Sequence, residues 1–228
     1  MRVSSEFSKY AQHYNSRNII QNKVVDKLIE SIDSKPKSIL DLGCGSGALC
    51  KKIDWEYDSF LGVDFADGML KLHPKGKNIN TMYGDFNDEK LFEKLKLNSF
   101  DYIVSASALQ WAKDLDSVFH HIQTLNAPIA LAIFTSNTFK ILNETALLKP
   151  ILKSVDEIDQ LQKKHFNVNF EVIEYRLEFD SVREMFKYIK QSGVSGSRKV
   201  LDYKQTKKLM ENYPVNYLEF EVVFITSR

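Results

Sequence analysis

Five short apolar runs recur along the first 135 residues, each separated from the next by a stretch of helix length. They are SILDLG (38–43), SFLGVD (59–64), INTMYGD (79–85), FDYIVSASA (100–108) and IALAIFT (129–135). Runs this short and this apolar suit strands covered on both faces. Strands alternating with helices are joined by right-handed crossovers and form a parallel sheet, so the expected class is α/β and doubly wound, with helices on both faces. Ahead of the first run, Ile19, Ile20, Val24, Val25, Leu28, Ile29 and Ile32 make a helical stripe. A helix over 47–54 is expected after the first strand. Beyond residue 135 the spacing predicts helix over 139–165, a strand at 170–179, a helix at 181–192 and a strand at 218–227 that closes the sheet edge. A chain of 228 residues suits one elaborated domain. Its expected parts are an N-terminal helical segment (1–35), a ligand-binding half (36–135), lid or substrate-binding elements (136–216) and a closing strand (217–228).

Composition narrows the class of protein. Hydrophobic residues are 43% and charged residues 27% of the chain, which excludes disorder and collagen-like repeats. Lys and Arg total 31 against 30 acids, a net charge of +1, so a nucleic-acid coat that is basic throughout is excluded. The two cysteines, Cys44 and Cys50, make neither a disulfide framework nor a zinc quartet, and no metal is expected. The start carries no apolar signal core and no run reaches the ~18 apolar residues of a membrane span. A soluble, cytoplasmic protein is the expectation.

In a doubly wound sheet ligands bind beyond the carboxyl ends of the strands. Asp41-Leu-Gly43-Cys-Gly45-Ser-Gly47 stands there, and its glycines allow tight turning and close approach of a ligand. Gly43-x-Gly45-x-x-Ala48 alone also fits a loose dinucleotide fingerprint. A pyrophosphate prefers helix-end amides and positive potential, and Asp41 opposes it. A cationic ligand with a free ammonium, such as S-adenosylmethionine, matches that carboxylate. Asp64 ends the second run, where a carboxylate can grip both ribose hydroxyls. Asp85 ends the third, within reach of an adenine amino group, with Phe86 to line the base. The bland alternative is that these acids cap the helices that follow.

The set DLGCGSG, LGVD, YGD and FDYIVSASALQW, in that order over about residues 38–135, resembles the class I S-adenosylmethionine-dependent methyltransferases. The resemblance implies a Rossmann-like seven-stranded sheet, mostly parallel with an antiparallel last strand. It also implies that Asp41, Gly43, Cys44, Gly45 and Gly47 hold the methionine end of S-adenosylmethionine. Asp64 is implied to hold the ribose and Asp85 with Phe86 the adenine, while Phe65, Met69 and Ser105 complete the cofactor site. Further motifs resemble the malonyl-acyl-carrier-protein O-methyltransferases of biotin synthesis. These are Phe7-x-x-Tyr10-Ala11-x-x-Tyr14 followed by Gln21, then Ala108-Leu109-Gln110-Trp111, then SVREMFKYIKQSGVSG (181–196). On that resemblance Tyr10, Tyr14, Gln110 and Trp111 surround the methyl and acyl groups; by spacing alone Tyr10 and Tyr14 pack one turn apart, and Trp111 is equally a core residue.

Other chemistries find less support. The Asn/Asp-Pro-Pro-aromatic motif of amino-methylating nucleic-acid enzymes is replaced by Ser105-Ala-Ser107-Ala, and no catalytic Pro-Cys, nucleophile elbow or phosphate loop occurs. His120 and His121 are adjacent and point about 100° apart on a helix, which does not chelate one ion; His13 is a weaker candidate for substrate contact. Between Arg183 and Lys208 eight basic residues face two acids, whereas 151–182 holds four basic and seven acidic residues. A basic face of this kind steers an acidic acyl carrier protein or is an ordinary solvated helix face. The expected function is methylation of the free carboxylate of malonyl-acyl carrier protein. The alternatives are a class I methyltransferase acting on another small carboxylic acid or on RNA, and a catalytically silent binding protein.

Overall fold

A computed structural model describes residues 18–192 and 203–228. Helix α1 (Ile19–Glu30) leads into β1 (Ser38–Leu42) and β2 (Ser59–Asp64), followed by a single turn, α2 (Asp67–Leu70). Next come β3 (Ile79–Tyr83), α3 (Glu89–Leu95), β4 (Tyr102–Ala106), a 3₁₀ turn (Leu109–Trp111), α4 (Leu115–Thr124) and β5 (Ile129–Phe134). The later part holds α5 (Lys140–Thr145), α6 (Val155–His165), β6 (Val168–Glu178), α7 (Val182–Ser192), α8 (Tyr203–Glu211) and β7 (Tyr217–Ser227).

The strands form one sheet in the order β3-β2-β1-β4-β5-β7-β6. The pairs among β1 to β5 are parallel, and β7 runs antiparallel to both neighbours, so it alone opposes the other six. The chain steps outward from β1 to β3, returns, and continues on the other side from β4. The strand order reverses between β1 and β4, and a crevice opens at their carboxyl ends.

Strand periodicity divides the core in two. Ile39, Tyr102, Val104, Ala130 and Ala132 face one side, where Ile20, Val24 and Leu28 of α1, Met185 of α7 and Leu209 of α8 pack on them. Leu40, Leu42, Ile103, Leu131 and Ile133 face the other, against Leu91 and Phe92 of α3, Leu115 and Phe119 of α4 and Ile158 of α6. Alternate residues of one strand point to opposite faces, which is why each apolar run feeds both cores.

Local chemistry sets the helix ends. Asp114 caps α4 by accepting from the amides of Asp116 and Ser117, and Ser154 and Glu157 form a reciprocal capping box at α6. The expected continuous helix over 139–165 is two helices, because the stretch between them contains Pro150, which removes a backbone donor and disfavours helical geometry in the residue before it. The expected helix at 47–54 is a string of turns over 45–52. Gly47 and the amide pattern Gly47 N to Cys44 O, Lys51 N to Gly47 O and Lys52 N to Leu49 O close single turns instead of a ladder. Within 136–216, β6 is the half-exposed sheet edge, and His165 of α6 meets Asp116 of α4 at 2.7 Å. No helix among the described residues is long and apolar enough to cross a membrane.

Candidate active site

The crevice is built first by the loop after β1. The amides of Gly43 and Cys44 donate to the carbonyl of Val63, at 2.8 and 3.0 Å, which folds the loop across the end of β2. Gly43 has φ +77°, and a Cβ there would stand 2.2 Å from the Cβ of Ala108. Only glycine lets this loop and the one after β4 lie against each other. Gly45, at φ +53°, differs: a Cβ there would meet nothing within 4 Å, so its backbone faces open space that a ligand can approach. Gly47 packs on His73 and Pro74 and serves the loop's own folding.

Two acids stand beneath this loop. Asp41, the next-to-last residue of β1, is 2% exposed. Burial, with the charge of Asp64 beside it, pushes its carboxyl up to about 8. Asp64 closes β2; its Oδ2 accepts from Gly45 N at 2.9 Å and its Oδ1 from Ala66 N at 2.8 Å. Burial raises its pKa, opposed by those backbone donors. The carboxylate therefore ties the glycine loop to the start of α2, and each oxygen keeps a lone pair for a ligand. The same burial and acids hold the Cys44 thiol far above its usual range, so it is not a nucleophile.

A cavity that opens to solvent extends from these acids. Phe65, Met69 and Phe86 form an apolar end, and Ala106, Ser107, Ala108 and Trp111 form the wall after β4. Asn18, just ahead of α1, and Gln21 and Val25 of that helix complete it. No Lys, Arg or His is among the described residues that line it, so the buried acids have no fixed cationic partner there. A cationic ligand fits this cavity, because it would supply the charge that makes an ionised Asp41 affordable.

The structure sorts the expected site residues. Asp41, Gly43, Cys44, Gly45, Asp64, Phe65, Met69, Phe86 and Trp111 line one cavity. Gly47 stands behind it. Asp85 does not line it: its Oδ1 accepts from the backbone and side-chain amides of Asn87, at 2.9 and 2.6 Å, shaping the turn after β3. Ser105 is fully buried and donates to the carbonyl of Leu42 at 2.6 Å, so its hydroxyl stitches β4 to β1. Gln110 points its amide to the carbonyl of Ser107 at 2.6 Å and shapes the wall from behind. Tyr10, His13 and Tyr14 lie outside the described residues. His121 stacks on Phe92 at 4.9 Å, and among the described residues no group of three potential metal ligands gathers. Sequence reasoning missed Asn18 and Ser107. Nothing in their local pattern marks them; only the approach of α1 and the β4 loop to the glycine loop brings them to the cavity.

Comparison with known proteins agrees with this geometry. Residues 40–130 match a family model described as a methyltransferase domain. The chain is 28% identical to a malonyl-[acyl-carrier protein] O-methyltransferase of Acetivibrio thermocellus, over 99% of this chain and 93% of the relative. It is 27% identical to one of Haemophilus influenzae, over 95% and 85%. The fold is shared with the YcgJ protein of Bacillus subtilis, at a TM-score of 0.61 and 12% identity, covering 90% of this chain and 99% of that one. It is also shared with phosphoethanolamine N-methyltransferase 2 of Haemonchus contortus, a structure holding S-adenosylhomocysteine, at a TM-score of 0.54 and 18% identity, over 92% of this chain and 53% of that one. The acid-glycine-acid crevice lies at the switch point of a 3-2-1-4-5-7-6 sheet, with a methyltransferase domain matched across it, so the chain has the architecture of an S-adenosylmethionine-dependent methyltransferase.

Proposed function

We propose that the protein transfers a methyl group from S-adenosylmethionine to the free carboxylate of a malonyl group carried on acyl carrier protein. The observation that carries this reading is the near end-to-end similarity to relatives of that name, 93% and 85% of whose lengths are covered. The cavity is compatible with it. In this reading Asp41 faces the ammonium of the cofactor, Asp64 the ribose hydroxyls, and Phe65, Met69 and Phe86 the adenine. The bound cofactor supplies an electrophilic methyl on a sulfonium.

A carboxylate acceptor is already ionised at neutral pH, so the chain has to position and desolvate rather than remove a proton. The described lining suits that task, because its titratable groups are buried acids and a thiol held protonated. The carrier protein would dock on the α7–α8 face, where Arg183, Lys187, Lys204, Lys207 and Lys208 are exposed. Those helices share one core with α1, whose first turn lines the cavity. The basic face would speed encounter with an acidic partner.

The test is direct. Malonyl-acyl carrier protein and S-adenosylmethionine should yield S-adenosylhomocysteine and a carrier protein heavier by one methyl group. Turnover on a small free acid, with none on the carrier protein, overturns the substrate while leaving the methyl transfer intact.

A further inference from the structure

We propose that the loop between α5 and α6 is a preformed apolar anchor for the acidic carrier protein that brings the substrate, with Leu147 and Ile151 as its contacts. The inference rests on the carboxyl-methylation reading and adds to it a second contact surface besides the α7–α8 face.

The backbone of the loop singles out Leu147. Ala146 caps α5, and the next two amides turn back on the helix. Leu147 N donates to Glu144 O at 3.1 Å and Leu148 N to Asn143 O at 2.8 Å. That pair of bonds is the Schellman closure of a helix, whose left-handed residue is usually glycine because a Cβ strains it. Here it is Leu147, at φ +54°. A leucine suits such a place when burial offsets the strain, yet Leu147 is 93% exposed. Ile151 is 52% exposed, and Pro150 before it stiffens the backbone. Strain held beneath an exposed apolar side chain points to a surface that another molecule covers.

Position and charge identify that molecule. Ser136, just past β5, donates its amide to Lys153 O at 2.8 Å. Both ends of the excursion are thus fixed at the carboxyl edge of the sheet, the edge at which the crevice opens. Leu142, Ala146 and Leu152 pack on the core that Met185 of α7 and Leu209 of α8 also enter. Over 140–153 the charges are Lys140, Lys149 and Lys153 against Glu144, the same sign as the basic helices. A substrate borne on a protein reaches the cavity only while that protein rests at this edge. Lysines around an apolar pair fit an acidic protein surface with an apolar spot: the charges steer the encounter, and the desolvated leucine holds it. Leu97 supplies the contrast. It is 86% exposed, but it lies between α3 and the start of β4, at the opposite edge of the sheet.

Steady-state kinetics and titration of the full chain with malonyl-acyl carrier protein test the anchor, with Leu147→Gly and Ile151→Ser as variants and Leu97→Ser as control. Leu147→Gly should keep or raise the urea midpoint, since glycine suits a positive φ. It should raise the KM for malonyl carrier protein ~10-fold, hold kcat within ~2-fold, and weaken binding of the carrier protein ~10-fold. Ile151→Ser should raise KM as well, and Leu97→Ser should leave it within ~2-fold. Unchanged KM and affinity in Leu147→Gly overturn the anchor, as does an equal rise in Leu97→Ser. A lowered midpoint in Leu147→Gly also overturns it, because the leucine would then serve the fold. If the wild-type chain binds the carrier protein without methylating it, the substrate reading has failed, and the two affinities alone decide the anchor. Neither binding nor methylation overturns both. Self-association, or sedimentation with phosphatidylglycerol vesicles, that Leu147→Gly abolishes at unchanged KM gives the loop to a second copy or a lipid surface and overturns the assignment to a carrier protein.

Discussion

Asp41 makes the affinity for the cofactor depend on pH in a direction that can be worked out beforehand. Its carboxyl is pushed up to about 8 by burial and by Asp64, and no basic side chain among the described lining residues offsets it. A ligand whose ammonium pairs with Asp41 binds the ionised form, which at pH 7 is only about a tenth of the free protein. Recruiting that form costs about 1.4 kcal/mol at pH 7 and about ten-fold in Kd for each further pH unit downward. From pH 6 to 7.5, where the ligand's ammonium stays charged, the Kd of S-adenosylhomocysteine should fall roughly 25-fold. Binding at pH 7 should release nearly one proton, visible when calorimetric heats are compared in buffers of different ionisation enthalpy. Asp41→Asn should bind more weakly and lose both the slope and the proton release. The sign for folding is opposite. Because the folded pKa lies above the unfolded value of 3.8, the free protein binds the extra proton and loses stability as pH rises from about 4 to about 8. A flat Kd between pH 6 and 7.5, with no proton released, would refute the pairing of Asp41 with the ammonium.

Three further outcomes follow from the geometry. Gly43→Ala forces a Cβ to 2.2 Å from that of Ala108 at φ +77°, and should cost about 2–4 kcal/mol in denaturant unfolding along with cofactor affinity; a wild-type midpoint would show that the two loops do not touch. Ser105→Ala removes a buried donor to Leu42 O and should lower stability by about 1–2 kcal/mol while leaving the Kd of S-adenosylhomocysteine within ~2-fold; a collapse of binding at unchanged stability would return Ser105 to the cofactor site. Cys44 and Cys50 are both buried, with thiols raised chiefly by burial, so an aromatic disulfide reagent should modify neither until the chain is unfolded in urea.

The extent to which the site was legible in the sequence follows from the range of the forces involved. The alternation of buried strands with amphipathic helices is a local pattern, so Asp41 and Asp64 could be placed at strand ends, and the glycine loop between them, without coordinates. Asp85 carries the same local signature. Yet it turns back to Asn87, because a side-chain oxygen two residues from an amide closes an Asx turn wherever the backbone permits. Ser105, which the resemblance implies for the cofactor site, gives its hydroxyl to the carbonyl of Leu42 across the strands.

By itself, then, the sequence determined the sheet's parallel core, the switch point and the acid-glycine-acid side of the cavity, since each depends on residues a few positions apart. The tertiary structure alone decided the other side. Gln21 and Ser107 are 86 positions apart, and no periodicity relates them. They meet at one cavity because the stripe of α1 must bury Ile20, Val24 and Leu28 against β4 and β5, which carries the polar edge of that helix to the end of β4. Packing of apolar area chose their neighbourhood.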